Sequence, residues 1–429
     1  MKSIVAGGSA PDVFARRESE ARSYCRSFPV TFTSARNARM TDENGRSYID
    51  FLAGCSSLNY GHNDPDMKAA LIAHLERDGI AHGLDMRTDA KAAFLETFER
   101  TILEPRGMEH RVQFTGPTGA NAVEAALKLA RKVTGRSNVI AFTNGFHGVT
   151  QGALAATGNR HHRGAANGPL TSVTRMPYDG YMGEGTDGLA MIERMLEDGS
   201  SGIDAPAAFI VEPVQGEGGL NAASAEWLRG IQRLARAHGA LFIVDDIQAG
   251  CGRTGSFFSF EGMSIEPDLV TMAKSLSGFG LPMAVLLVRP EHDIWAPAEH
   301  NGTFRGNNHA FVTARVALEK FWSDQAFQVL VESRGTYLAE RLATIAETIP
   351  GAVLKGRGMM RGIDMGSGEI AADICATCFE NGLIIETSGA DDEVVKVLAP
   401  LTIEAETFAR GLDILQAAVG ARMQAPRAA

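Results

Sequence analysis

The chain is predicted to have an α/β fold: a large domain with a mostly parallel sheet, and a smaller α+β domain. Between about residues 61 and 310, short apolar segments alternate with amphipathic helical segments. This alternation is typical of a parallel sheet that helices cover on both faces. From about residue 311 a long helical stretch and a few short apolar segments replace it. The length of 429 residues, with 45% hydrophobic residues, allows for more than one ordinary domain.

The N-terminal part contains a hairpin signal, because Asn44-Gly45 separates two short alternating segments within residues 39–54. A hairpin this short does not stand alone, and we expect it to pack with the C-terminal part. The predicted domains are therefore 61–310 for the large domain, and 1–60 together with 311–429 for the small one.

The elements of the large domain follow from apolar periodicity and turn residues. Helices are predicted over 64–78, 89–103, 120–134 and 224–238, and strands over 111–115, 138–143, 207–213, 241–245, 268–273 and 283–289. In the C-terminal part the pattern predicts a helix across Cys375, short apolar segments around 359–365, 383–387 and 393–401, and a final helix from about 404.

Composition argues against several classes of partner. With 41 basic and 51 acidic residues the formal charge is −10, which repels nucleic acid and anionic membranes. The chain has no signal-peptide pattern and no membrane-spanning stretch, and five cysteines are too few for a disulfide framework. Cys375 and Cys378 have no second ligand pair, so no metal site is predicted. We expect a cytoplasmic protein without nucleic-acid or membrane partners.

Three features indicate chemistry. Gly116 and Gly119 lie between a strand and a helix, where backbone N–H groups bind phosphate well, although a plain connection fits equally. Lys274 follows a buried-type strand, where desolvation favours a nucleophilic amine; the alternative is a lysine that reaches solvent at the sheet edge. Asp245 and Asp246 end another strand, and because side chains alternate, only one of them can face a ligand.

Together these features match the needs of pyridoxal phosphate, which has a phosphate, an aldehyde that bonds a lysine, and a ring nitrogen that a carboxylate keeps protonated. The segments TGPTGANAVEAALKLAR, FHG, VEPVQGEGG, DDIQAGCGRTG, AKS and HNGTFRGNN follow in this order, with Lys274 29 positions after Asp245. In these segments, and over nearly its whole length, the chain resembles class III pyridoxal-phosphate-dependent aminotransferases. The resemblance implies the aspartate-aminotransferase-like fold (fold type I) and pyridoxal 5'-phosphate as cofactor.

The resemblance also implies roles for single residues. Lys274 matches the lysine that bonds the cofactor's aldehyde, and Asp245 the partner of its ring nitrogen. The other matches at the cofactor are Gln248 near the ring hydroxyl, Phe146 stacked on the ring, His147 beside it, and Gly119 and Ala120 at the phosphate. For His147, shaping the turn is as good an explanation as direct contact.

Further matches concern the subunit interface and the substrate. Thr303 matches a threonine that reaches the phosphate of the neighbouring subunit, so at least a homodimer is implied, and Glu217 matches a glutamate that gates substrate charge. Two positions depart from the family. Val149 stands where many members have an arginine, and Lys396 where many hold a substrate carboxylate with an arginine. Lys396 is the expected carboxylate ligand, with a surface lysine as the alternative and Arg305 as a second cation.

Three segments, SYCRSFPVTF, DGIAHGLDM and HNGTFRGNN, resemble one branch of the family. That branch transfers the amino group of L-glutamate to L-aspartate 4-semialdehyde, giving L-2,4-diaminobutyrate and 2-oxoglutarate in the first step of ectoine synthesis. The alternatives are an ω-aminotransferase for ornithine, acetylornithine or 4-aminobutyrate, an aminomutase of the same fold, and a catalytically silent cofactor-binding protein.

Overall fold

A computed structural model describes residues 12–166, 168–183 and 185–424. The strands are β1 (Phe32–Arg36), β2 (Arg39–Asp42), β3 (Ser47–Asp50), β4 (Arg111–Phe114), β5 (Asn138–Phe142), β6 (Val173–Met176), β7 (Pro206–Val211), β8 (Leu241–Asp245), β9 (Leu269–Met272), β10 (Val285–Val288), β11 (Val353–Arg357), β12 (Met360–Asp364), β13 (Leu383–Ile384), β14 (Glu386–Ser388) and β15 (Val394–Val397).

The helices are α1 (Val13–Arg17), α2 (Tyr24–Ser27), α3 (Ala53–Ser56), α4 (Pro65–Glu76), α5 (Asp89–Phe98), α6 (Gly119–Thr134), α7 (Gln151–Ala156), α8 (Arg160–Gly164), α9 (Gly188–Glu197), α10 (Ala225–Ala237), α11 (Asn308–Phe321), α12 (Ala326–Ala346), α13 (Gly368–Glu380) and α14 (Ala405–Gln424). Each helix among the described residues is too short or too polar to cross a lipid bilayer.

The largest sheet has seven strands in the order β4-β10-β9-β8-β7-β5-β6. Strands β5 to β9 pair in parallel, whereas β10 runs antiparallel to both β4 and β9. Every residue of β5, β7, β8, β9 and β10 is buried, as expected for strands that helices cover on both faces. The predicted α/β class and the mostly parallel sheet are confirmed.

Two smaller sheets flank this core, with the orders β1-β2-β3-β13 and β11-β12-β15-β14. The predicted hairpin is present as β2 and β3, and Gly45 in its turn has a φ of 80°, which a glycine adopts without strain. Strand β3 pairs in parallel with β13, so the N-terminal hairpin joins the C-terminal part of the chain. The boundaries of the two domains stay a prediction.

Arg253 links three parts of the chain although it is completely buried. Its guanidinium donates to the side-chain oxygen of Asn59 and, at 2.6 Å, to the backbone carbonyl of Ala399. The backbone N–H of Asn59 in turn donates to the Ser275 hydroxyl at 2.9 Å. The segment around Asn59 therefore helps to hold Ser275, the residue directly after Lys274. Burial lowers the pKa of Arg253 to about 9.

Some elements differ from the sequence prediction. The helix predicted over 89–103 is α5 followed by one π-helical turn, Glu99–Leu103, and the long helical stretch after 311 is two helices, α11 and α12. Strands β6 and β11 and helices α7 and α8 were not predicted, because their segments are only four to six residues long. Helix α9 was also not predicted, although Leu189, Ile192 and Leu196 form an apolar stripe at helical spacing.

Candidate active site

A cavity of about 490 Å³ lies where the carboxyl ends of β5, β7, β8 and β9 meet the N-terminus of α6. Ligands bind at this edge of open α/β sheets. Eight of the predicted site residues line the cavity: Gly119, Ala120, Phe146, His147, Glu217, Asp245, Gln248 and Lys274. A larger cavity of about 730 Å³, lined among others by Arg106, His110 and Arg289, contains none of them.

The N-terminus of α6 forms the anion-binding part of the cavity. Thr118 caps the helix, and its hydroxyl accepts the Asn121 N–H at 3.3 Å. The first N–H groups of a helix have no partner within the helix and attract anions. A Cβ on Gly119 would lie 3.0 Å from Ile247, and one on Gly148 would lie 2.7 Å from the Ala120 Cβ, so both glycines keep the cradle open. A phosphate group fits this site.

Lys274 occupies a strained backbone position at the end of β9. Its φ of 49° is in the left-handed region, which lysine rarely adopts, and it begins the 3₁₀ turn Lys274–Ser277. Ser275 anchors this turn by donating to the Ser56 carbonyl at 2.6 Å. The turn directs the lysine into the cavity, which its side chain lines.

Asp245 is part of a buried group that we call the histidine cluster, formed by Asp245, His147 and Glu212. The His147 Nδ1 lies 2.7 Å from the Asp245 Oδ2, and the Thr271 hydroxyl donates to the Asp245 Oδ1 at 3.1 Å. Burial alone would lower the pKa of His147. The hydrogen bond to Asp245 and the negative charge of Asp245 outweigh burial, so the pKa of His147 is raised overall. The hydrogen bonds from His147 and Thr271 therefore fix the orientation of the Asp245 side chain at the cavity.

Glu212 is the member of this cluster that the sequence analysis did not assign. Its carboxylate accepts the backbone N–H of Phe146 at 2.8 Å and that of Gly216 at 3.2 Å. Burial raises the pKa of Glu212 to about 7, against the opposing charge of His147. A signal was present, because Glu212 directly follows β7 just as Asp245 closes β8, and the ends of parallel strands meet at one edge.

Asp246 points to the other face of the sheet, as the alternation of side chains predicts. It accepts hydrogen bonds from the backbone N–H of Ser259, at 3.2 and 3.3 Å, and from the Ser259 hydroxyl. Burial and the nearby charge of Asp245 raise the pKa of Asp246 to about 7, although Ser259 opposes this shift. The two adjacent acids therefore have separate environments, and Asp246 does not line the cavity.

Gln248 and Glu217 form the polar wall of the cavity. The Gln248 Nε2 donates to the Glu217 Oε1 at 3.0 Å, while the Gln248 Oε1 is buried without a hydrogen-bond partner among the described residues. This acceptor is available to a hydroxyl group of a ligand. Burial opposes ionisation of Glu217, but the charges of Lys396 and Lys274 lower its pKa to about 2.

Lys396 on β15 is completely buried, so the alternative of a surface lysine is wrong. Its Nζ lies 3.1 Å from the Glu217 Oε1 and 2.9 Å from the Glu386 Oε1. Burial would lower the pKa of Lys396, but the two carboxylates raise it. We call Glu217, Lys396 and Glu386 the lysine cluster; it reaches the cavity through Glu217. Glu386 was not predicted.

The remaining predicted residues lie outside the cavity or at its rim. Thr303 is exposed in the 3₁₀ turn Thr303–Gly306, and a contact with a neighbouring subunit stays a prediction. Arg305 pairs with Asp85 and does not line the cavity. Val149 lines the cavity and is 60% exposed. Because it is a valine, it brings no charge to this part of the cavity.

These groups fit pyridoxal phosphate. The N-terminus of α6 suits its phosphate, Lys274 its aldehyde, Asp245 its ring nitrogen, and the unpartnered Gln248 oxygen its ring hydroxyl.

Comparisons with known proteins agree with this fit. The family model "Aminotransferase class-III" matches residues 21–419. A diaminobutyrate–2-oxoglutarate transaminase of Vibrio cholerae is 57% identical over 94% of this chain and 98% of its own. A protein of the same name from Halomonas elongata is 57% identical over 94% and 97%. An ornithine aminotransferase structure from Toxoplasma gondii, with partial occupancy of PLP at its active site, has a TM-score of 0.81 and 28% identity, covering 95% of this chain and 93% of its own.

Proposed function

The chain belongs to the class-III aminotransferases, and from this premise we propose that it transfers the amino group of L-glutamate to L-aspartate 4-semialdehyde. The products are L-2,4-diaminobutyrate and 2-oxoglutarate, and the reaction is reversible. The observation that carries this substrate choice is the similarity, over almost the whole of both chains, to the diaminobutyrate transaminases. We place the reaction at the first step of ectoine synthesis, because SYCRSFPVTF, DGIAHGLDM and HNGTFRGNN resemble the branch of the family that carries out this step.

The family's cofactor, pyridoxal phosphate, supplies when bound an aldehyde that takes up amino groups and a protonated ring that withdraws electrons. Lys274 would hold the aldehyde and then act as the general base, taking the proton from the substrate carbon that carries the amino group. Asp245 would keep the ring nitrogen protonated, and the N–H groups of α6 would hold the phosphate. His147 and Thr271 fix the Asp245 carboxylate by the hydrogen bonds described above.

The two amino donors of this reaction present different charges to the site. Glutamate carries a carboxylate on its reacting carbon, whereas diaminobutyrate reacts at a terminal amine without one. We propose that Lys396 is the group that receives the glutamate carboxylate. Glu217 lies between Lys396 and the cavity. When glutamate binds, Glu217 has to move away from Lys396 so that the substrate carboxylate can reach the lysine. When diaminobutyrate binds, Glu217 stays paired with Lys396.

We also propose that the protein is at least a homodimer, with Thr303 reaching the phosphate site of the neighbouring subunit, and that it works in the cytoplasm. Thr303 is exposed and therefore accessible to a second copy. Analytical ultracentrifugation of the wild type and of Thr303→Ala, with cofactor titration of both, tests this arrangement. A wild type that sediments as a monomer contradicts it.

The donor specificity tests the substrate assignment. Purified protein with pyridoxal phosphate and 2-oxoglutarate is given L-2,4-diaminobutyrate, ornithine or 4-aminobutyrate, and glutamate formation is measured. We expect a clear preference for diaminobutyrate. Preference for another amine would retain the aminotransferase and reject the substrate. No glutamate from any donor, with cofactor bound, would point to an aminomutase or a silent cofactor-binding protein.

A further inference from the structure

We infer that Glu386 is the fixed counter-ion of Lys396: it holds the lysine in place while Glu217 exchanges with the substrate carboxylate. Glu386 is then a positioning residue for the acidic substrate. This inference rests on the proposed function, because it assigns a role in the choice between glutamate and diaminobutyrate.

Glu386 is attached to the same rigid element as Lys396. The two residues are direct cross-strand partners in the antiparallel pair of β14 and β15. The Lys396 Nζ and the Glu386 Oε1 form an ion pair at 2.9 Å without the alignment of a hydrogen bond, and the Glu386 side chain is only 10% exposed. Its other oxygen lies 3.9 Å from the Cys55 Sγ, which itself lies 2.7 Å from the Tyr24 hydroxyl. Glu386 is not among the residues that line the cavity.

Glu217 holds the same lysine from a different position. It belongs to the loop after β7, lines the cavity, and its side chain is 32% exposed. Its oxygen is shared between Lys396 and the amide of Gln248, which also lines the cavity. Of the two carboxylates on Lys396, Glu217 is therefore the one that an incoming substrate can displace.

The division of roles follows from the cost of burying charge. A buried lysine that loses its only carboxylate partner is strongly destabilised. With Glu386 in place, Lys396 keeps one counter-ion and a fixed Nζ position when Glu217 moves away. Lysine has three donors on a flexible stem, so without a fixed partner its ammonium group follows Glu217 and is poorly placed for a second carboxylate.

The test is Glu386→Gln in the cofactor-loaded enzyme, with each half-reaction followed separately by the absorbance of the bound cofactor. We expect kcat/KM for glutamate to fall roughly five- to tenfold, the effect of losing one ion pair at Lys396, and kcat/KM for diaminobutyrate to change less than about twofold. The dissociation constant of glutarate, an unreactive dicarboxylate, should rise by the same factor by which kcat/KM for glutamate falls. The matched control is Glu380→Gln, an exposed glutamate at the end of α13.

A second pair of variants tests whether Glu386 acts through the lysine. In a Lys396→Met background, Glu386→Gln should have no further effect on glutamate. An equal loss with both donors, improved use of glutamate, or an effect that persists in the Lys396→Met background would overturn the inference. A wild type that prefers another amine to diaminobutyrate contradicts the proposed substrate instead, whatever Glu386→Gln does. If the wild type does not use glutamate at all, both proposals fail.

Discussion

The histidine cluster and the lysine cluster each combine one basic side chain with two acids, but they are built differently. Asp245 and Glu212 come from the ends of strands in the large sheet, and His147 from the loop after β5. In the lysine cluster, Lys396 and Glu386 come from the small sheet β11-β12-β15-β14, and Glu217 comes from the loop after β7.

This difference separates chemistry from selection. Backbone N–H groups hold Glu212 and the Thr271 hydroxyl holds Asp245, and the proposed reaction requires no side chain of the histidine cluster to move. In the lysine cluster one acid faces the cavity and the other does not. We therefore expect changes in the histidine cluster to affect every substrate equally, and changes in the lysine cluster to affect acidic substrates selectively.

The largest effect is expected at Lys274, which serves both half-reactions. Lys274→Ala removes the group that holds the aldehyde and moves the proton, and turnover should fall by about 10⁴-fold or more. The variant should still bind cofactor, because the N-terminus of α6 and Asp245 remain. Turnover and cofactor absorbance are measured beside Lys68→Ala, an exposed lysine on α4. Normal turnover of Lys274→Ala would refute the assignment.

Asp245→Asn should give the next largest effect. The neutral amide no longer stabilises a proton on the ring nitrogen, and we expect kcat to fall by about 10²- to 10³-fold with glutamate and diaminobutyrate alike. Asp246→Asn is the matched control, because Asp246 bonds Ser259 outside the cavity; its kcat should stay within about threefold of the wild type. If Asp246→Asn proves the more damaging of the two, Asp246 is the partner of the ring.

Lys396→Met should have a smaller and selective effect. It removes the only cation of the lysine cluster, and we expect KM for glutamate to rise by about 10- to 50-fold while KM for diaminobutyrate changes by less than about threefold. Steady-state kinetics with each amino donor measures the difference. An equal rise for both donors would show that the lysine cluster supports the fold and not the choice of substrate.

The smallest effect concerns stability and pH. The folded-state pKa of Asp246, about 7, is above its ordinary value of 3.8. Its contribution to stability is therefore complete below about pH 4 and is lost as pH rises through about 7. Asp246→Asn removes this titration, so its melting temperature should fall less than that of the wild type between about pH 5.5 and about pH 8. Parallel curves for the two proteins would contradict the assignment.

Much of the histidine cluster could be predicted because it follows from the sheet. Asp245, Lys274 and the turn before α6 each follow a predicted strand, and the needs of pyridoxal phosphate suggested that they lie together; parallel strands bring their carboxyl ends to one edge, which accounts for that proximity. Glu212 also lies at the carboxyl end of a parallel strand, β7. The sequence analysis used its segment, VEPVQGEGG, as one motif and assigned no role to Glu212. Strand geometry alone left the choice between Asp245 and Asp246 open, and the resemblance selected Asp245; the structure shows that Asp245 is the acid that bonds His147.

The lysine cluster could not be predicted in the same way. The register that places Glu386 opposite Lys396 is a property of the folded sheet and leaves no local pattern in the sequence. The burial of Lys396 also depends on two carboxylates, Glu386 on the neighbouring strand and Glu217 in a distant loop. Without them, an apolar strand with one lysine predicts an exposed side chain. The resemblance named Lys396 and Glu217, but nothing in it indicated Glu386.

The most direct test of the division between the clusters compares half-reaction rates in Asp245→Asn and Lys396→Met. Each variant, loaded with cofactor, is mixed in single turnovers with glutamate or with diaminobutyrate, and the absorbance change is timed. The ratio of the two rates should match the wild type in Asp245→Asn and shift against glutamate by about tenfold or more in Lys396→Met. A shifted ratio in Asp245→Asn, or an unchanged one in Lys396→Met, would contradict the separation of chemistry from selection.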